Sequence, residues 1–122
     1  MAPLILIVDD EPDLREILAD ALTDEGYRVR TASDGQRAVE FLSTDDITAP
    51  DVIISDVVMP RMTGVRLVEW LRAGGDETPV ILMSATYSGA QLPGVRFLPK
   101  PFQLDDLSAA VQLALGYRAT CR

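Results

Sequence analysis

Apolar residues fall into two alternating rhythms along this chain. Short aliphatic runs (LILIV from Leu4, VII from Val52, VILM from Val80, VRFL from Val95) are separated by segments whose apolar positions recur every three or four residues. Unbroken short runs read as strands buried on both faces, and the longer segments read as amphipathic helices. Alternation of the two predicts βαβ units and a parallel sheet covered by helices on both sides.

The first strand is Leu4 to Val8. Pro12 suits the first turn of a helix whose apolar stripe is Leu14, Ile17, Leu18, Ala21 and Leu22, and Gly26 supplies a left-handed stop. Tyr27 to Ala32 is more polar, Arg28 and Arg30 included, and reads as an edge strand. Ser33 or Asp34 caps a second helix that buries Ala38, Val39, Phe41 and Leu42. Val52 to Ser55 is the third strand. After Met59 and Pro60, a turn through Arg61 to Gly64 leads to a third helix with Val65, Val68 and Leu71 inward, ended by Gly74 and Gly75. Pro79 opens the fourth strand, where a missing N–H costs no ladder bond, and Pro99 places the fifth, Val95 to Leu98, at an edge. The final helix carries Leu104, Leu107, Val111 and Leu115. Between Ser84 and Val95 the alternation asks for one more helix, but ten residues that include Pro93 and Gly94 leave room for a single turn.

With 122 residues, 48% of them hydrophobic, the chain reads as one domain over residues 1–122 with no effector domain attached. Its 11 basic and 19 acidic residues give a net charge of -8, which opposes direct nucleic-acid binding and contact with anionic membrane and favours a protein or cationic partner. Cys121 is the single cysteine, so neither a disulfide framework nor a cysteine metal site is available and a reducing cytoplasm is the expected compartment. The apolar run after Met-Ala-Pro is too short for a span and lacks a signal peptide's charged start. With no histidine, a histidine base, a histidine metal site and a Ser-His-Asp triad are all excluded.

Candidate chemistry gathers at the strand ends. The runs finish on Asp9 and Asp10, on Ser55 and Asp56, on Ser84 and, past a proline, on Lys100. Parallel strands deliver their last residues to one rim, where α/β proteins place their ligand crevice. Adjacent aspartates raise one another's pKa unless compensated, so the pair beside Asp56 calls for a cation, and oxygen-only ligands select a hard one, Mg²⁺ or Mn²⁺. The competing role for Asp9 and Asp10, as acids favouring a helix dipole ahead of Pro12, leaves Asp56 unexplained.

Four segments, LILIVDDEP, DVIISDVVMP, VILMSA and FLPKPF, make the chain similar over essentially its whole length to the receiver domain of two-component response regulators. That resemblance implies a flavodoxin-like, doubly wound five-stranded parallel sheet of order 2-1-3-4-5, here with a shortened fourth helix. It implies Asp56 as phosphoacceptor, Asp9, Asp10, Asp56 and the Val58 carbonyl around Mg²⁺ (or Mn²⁺), and Ser84 with the Ala85 N–H holding phosphoryl oxygens. Lys100 would pair with the phosphoryl group, and Lys100–Pro101 would be cis. The donor would be a phosphohistidine on a histidine kinase or histidine phosphotransfer protein, and an unidentified downstream protein would read the result. The chain would then be no enzyme beyond promoting its own phosphorylation and dephosphorylation. Met1 favours a stand-alone regulator over a receiver cut from a hybrid kinase.

Ser84 and Phe97 stand at the family's switch positions. Two or three new charge-assisted bonds of about 1.5–3 kcal/mol each would supply the roughly 5.5 kcal/mol that inverts a two-state population. Lacking a hydroxyl, Phe97 is expected to be buried without phosphate as well. The stretch from Ser84 to Lys100 is about six residues shorter than in a typical receiver, which alters the family's usual output face; Tyr87 and Leu92 read first as loop residues folded back onto the core, and second as partial substitutes for that face. Val58 and Thr86 flank the acceptor, and an apolar Val58 cannot orient an attacking water, so slow loss of phosphate is expected. A phosphatase of the haloacid dehalogenase type would want an acid where Val58 stands. A flavin-binding protein of similar topology would want a hydroxyl- and glycine-rich loop where acids follow the first strand. A pure interaction module would have no need of the acidic pocket.

Overall fold

In the computed structural model, which describes residues 2–44, 49–85, 92 and 94–120 (the last four as backbone), β1 (Leu4–Val8) lies between β2 (Arg28–Ala32) and β3 (Val52–Asp56). Next come β4 (Val80–Ser84) and β5 (Val95–Pro99), completing a parallel sheet of order β2-β1-β3-β4-β5. Each crossover that the described residues contain is helical: α1 (Pro12–Asp24) after β1, α2 (Gly35–Leu42) after β2 and α3 (Gly64–Ala73) after β3, while α4 (Leu104–Thr120) follows β5. The expected flavodoxin-like order is therefore the observed one. The shortened helix expected between Ser84 and Val95 falls on residues 86–91 and 93, outside the described residues, as do Thr86, Tyr87 and Cys121.

Period-two alternation sorts each strand between two cores. Ile5 and Ile7 of β1, with Val52 and Ile54 of β3, pack against Leu18 and Leu22 of α1 and Leu107 and Val111 of α4. Leu6, Val8 and Ile53 face the other way, onto Ala38 of α2 and Leu67, Val68 and Leu71 of α3. Every residue of β1 is buried, as a central strand's continuous aliphatic run requires, whereas β2 at the sheet edge exposes Arg30 and Thr31.

Helix ends follow local chemistry. Pro12 occupies the first turn of α1, Gly26 takes φ 96 just beyond its end, Asp34 caps α2 by accepting the Arg37 N–H, and Thr63 caps α3 by accepting the Arg66 N–H. Several sequence expectations need correction. Ile17, placed on the buried stripe of α1, is 53% exposed, because one residue, or about 100° of helix, separates it from the fully buried Leu18. Leu104 is exposed because it opens α4 beyond the sheet, and burial starts a turn later at Leu107. Leu67 is buried and Val65 only partly so, which rotates the inner face of α3 from the one expected. Phe97 was expected to be buried. It packs against the α2/α3 core but is half-buried, since β5 is an edge strand with no neighbour on its outer flank.

Candidate functional site

Strand register builds the site. Pairing of Val8 with Ser55 carries the next residues, Asp9 and Asp56, to adjoining positions at the C-terminal rim of the sheet. Asp9, Asp10 and Asp56 each offer a carboxylate oxygen within 4.8 Å of the others. From the far side, the pairing of Ser84 with Pro99 brings Lys100 over the same rim, where its Nζ lies 3.4 Å from Asp56 Oδ2 and its N–H donates to the Ser84 carbonyl at 2.8 Å. The Lys100–Pro101 peptide is cis. Ser84 is buried, Ala85 beside it is exposed, and Val58 is 69% exposed two residues past Asp56. Residues from β1, β3, β4 and the segment after β5 thus converge as expected.

Asp9 is the most constrained of the acids. It is fully buried; its Oδ1 accepts the Glu11 N–H at 2.8 Å, and its backbone is held by Ala32, whose carbonyl accepts the Asp9 N–H, and by Arg15, which donates to the Asp9 carbonyl. Its Oδ2 has no hydrogen-bonding partner among the described residues. Burial pushes the Asp9 carboxyl above its ordinary range, with the charges of Asp56 and Asp10 adding to the rise and the Glu11 N–H and Lys100 opposing it. A buried carboxylate with one unpartnered oxygen, clustered with two further carboxylates, fits a hard divalent cation, which would supply the missing ligation and charge.

Three supports escaped the reading of the sequence. Gly64, expected as the end of the turn before α3, sits so close to the Asp56 carbonyl that any Cβ would overlap that oxygen, and the same Cβ would meet Leu82 Cδ2 at 2.9 Å. An abutting small residue has no periodic signature. Gly64→Ala is therefore expected to cost about 2–3 kcal/mol, read as a lowered urea midpoint, because backbone rather than a flexible side chain must move. Ser55, grouped with the rim residues by its place at a strand end, is instead fully buried, its hydroxyl donating to the Asp56 carbonyl at 2.9 Å and approaching Met59 Sδ. Finally, Arg61 lies 3.3 Å from Asp34 Oδ2, an ion pair between two loops that no local pattern announces.

The family model described as response regulator receiver domain matches residues 5–112. The response regulator MprA of Mycolicibacterium vanbaalenii is 36% identical over 91% of this chain and 49% of its own length. The MprA of Mycobacterium tuberculosis is likewise 36% identical, over 94% of this chain and 51% of its own. The chain thus spans about half the length of these curated relatives. Among solved structures, the receiver domain of a signal transduction histidine kinase from Syntrophus aciditrophicus superposes with a TM-score of 0.82 at 36% identity, covering 94% of this chain and 91% of the other. The chemotaxis protein CheY4 of Vibrio cholerae gives 0.82 at 32% identity, with 94% and 100% covered.

Proposed function

Since the chain belongs to the response regulator receiver domain family, we propose that it is a phosphorylation-dependent switch in which Asp56 accepts a phosphoryl group from a phosphohistidine on a histidine kinase or histidine phosphotransfer protein. The observation that carries this reading is the cluster of Asp9, Asp10 and Asp56 within 4.8 Å, closed by Lys100 at 3.4 Å from Asp56. Asp9, Asp10, Asp56 and the Val58 carbonyl would hold Mg²⁺ or Mn²⁺, which when bound offsets the carboxylates' charge and that of the transferring phosphoryl.

The chain's own groups do the rest. An Asp56 oxygen attacks phosphorus as the P–N bond breaks, and the departing imidazole nitrogen keeps the electron pair. Lys100, within reach of Asp56, balances charge on the phosphoryl oxygens, and the Ser84 hydroxyl and the Ala85 N–H donate to them. Those new bonds draw the end of β4 toward Asp56, and Phe97, half-buried on the adjoining strand, responds through the α2/α3 core. A protein partner then reads the altered face. Among the described residues no helix is long and apolar enough to cross a membrane. A cytoplasmic setting is proposed from the lone cysteine and the nature of the donor.

Val58 separates this reading from a phosphatase. No proton donor stands two residues past Asp56, so neither a leaving alcohol nor an attacking water is served, and the phosphorylated form should persist. Incubation with acetyl phosphate and Mg²⁺ followed by mass spectrometry should yield one phosphoryl group per chain, in the peptide containing Asp56, that decays over minutes or longer. Turnover of phosphomonoesters, or labelling elsewhere, would refute the proposal. A label lasting only seconds would refute the role given to Val58.

A further inference from the structure

We propose that Arg61 is a positioning residue: its ion pair with Asp34 latches the loop after Asp56 onto the start of α2 and so fixes the backbone at Val58 beside the acidic pocket. Arg61 is the one non-glycine residue with positive φ among the described residues, at 70°. That conformation is unfavourable for an arginine, and glycine would adopt it freely, so the loop keeps a strained residue where only its side chain distinguishes it.

The side chain has a defined partner. Arg61 Nη1 lies 3.3 Å from Asp34 Oδ2, and the Asp34 side chain is 9% exposed against 66% for Arg61. The other Asp34 oxygen is committed to the Arg37 N–H at the head of α2, so loss of Arg61 strips Oδ2 of this cation. Met62 reinforces the contact: its Cβ lies 2.8 Å from where a Cβ on Gly35 would stand, so only glycine lets the loop seat this closely on α2. The loop is closed on itself by Met62 N–H to the Pro60 carbonyl (2.8 Å) and Gly64 N–H to the Val57 carbonyl (2.9 Å). It therefore transmits a displacement of Arg61 to Val57 and Val58 instead of absorbing it.

Asp34 is equally well connected on its own side. It lies two residues past Ala32, whose carbonyl accepts the Asp9 N–H at 3.1 Å. The latch thereby joins the loop after Asp56 to the segment that braces Asp9, and a cation held by Asp9, Asp56 and the Val58 carbonyl spans the same two elements. Cation and latch must favour the same loop arrangement, and by linkage each strengthens the other. This inference rests on the reading of the pocket as a Mg²⁺ site.

Mg²⁺ dissociation constants of the unphosphorylated protein, measured by titration calorimetry, test it with Arg61→Gln, Asp34→Asn and the double variant. Asn retains the cap acceptor, so α2 keeps its start, and urea midpoints report stability separately. Each single variant should bind Mg²⁺ about two- to fivefold more weakly, the range of an ion pair with one exposed partner, and the double variant no more weakly than the weaker single one. Arg61→Lys, which keeps the charge, should recover part of the loss. Shifts in urea midpoint with unchanged Mg²⁺ binding would mean that the pair is merely structural and would overturn the latch, as would losses that add in the double variant. If the wild type itself binds no Mg²⁺, the pocket reading falls and the latch with it. If the wild type binds Mg²⁺ and all the variants bind it equally, the latch alone falls.

Discussion

Asp56→Asn protein incubated with acetyl phosphate and Mg²⁺ is expected to stay unlabelled under conditions that phosphorylate the wild type to completion. The amide lacks the anionic oxygen that must bond to phosphorus. Fold is not the cause, because the substitution removes a partner 3.4 Å from Lys100 while relieving Asp9 of a like charge. These opposed changes should leave stability within about 1 kcal/mol of the wild type, which circular dichroism on urea titration will show. Equal labelling of the two proteins would remove Asp56 from its role.

Asp9→Asn should have two large and opposite effects. Mg²⁺ affinity should fall about 10- to 100-fold with the loss of a carboxylate ligand. The metal-free protein should instead become more stable at neutral pH by about 1–2 kcal/mol, because a buried oxygen without a hydrogen-bonding partner no longer carries charge beside Asp56 and Asp10. The dependence on pH gives the sign. Burial raises the folded-state pKa of Asp9 above its ordinary value of 3.8, so its contribution is fully present below 3.8 and is lost as pH rises through the raised folded value. Metal-free wild type should lose that contribution across the window and Asp9→Asn should not, while wild-type Mg²⁺ affinity rises over the same range as the competing proton leaves. Urea midpoints against pH, with and without Mg²⁺, check both; a variant that is less stable without metal would contradict the account.

Strand ends were legible because one-dimensional order becomes three-dimensional proximity in a parallel sheet. Asp9, Asp56, Ser84 and Lys100 each end or follow an apolar run, and pairing carried them to a common rim. Helix faces were read less well, since period alone does not say how wide the buried stripe is: Ile17 and Leu104 satisfy the spacing and are exposed, while Leu67 was overlooked and is buried. Asp34 was legible, beside Ser33, as one of two candidate caps. Its pairing with Arg61 was not, because 27 residues and two loops separate them and neither residue departs from an ordinary surface composition. Gly64 was legible as a turn residue and illegible as a wall against the Asp56 carbonyl, which depends on how α3 is set on the sheet.

The strand order also bears on how the polypeptide matures. β1 and β3 meet at the centre of the sheet, so Asp9, Asp10 and Asp56 come together through the first 56 residues alone, whereas Lys100 arrives with the segment after β5. Any intermediate in which β1 and β3 pair before β5 docks carries three crowded acids and lacks the ammonium that faces them in the finished protein. A divalent ion in the surrounding solution would offset part of that crowding until the docking of β5 supplies Lys100.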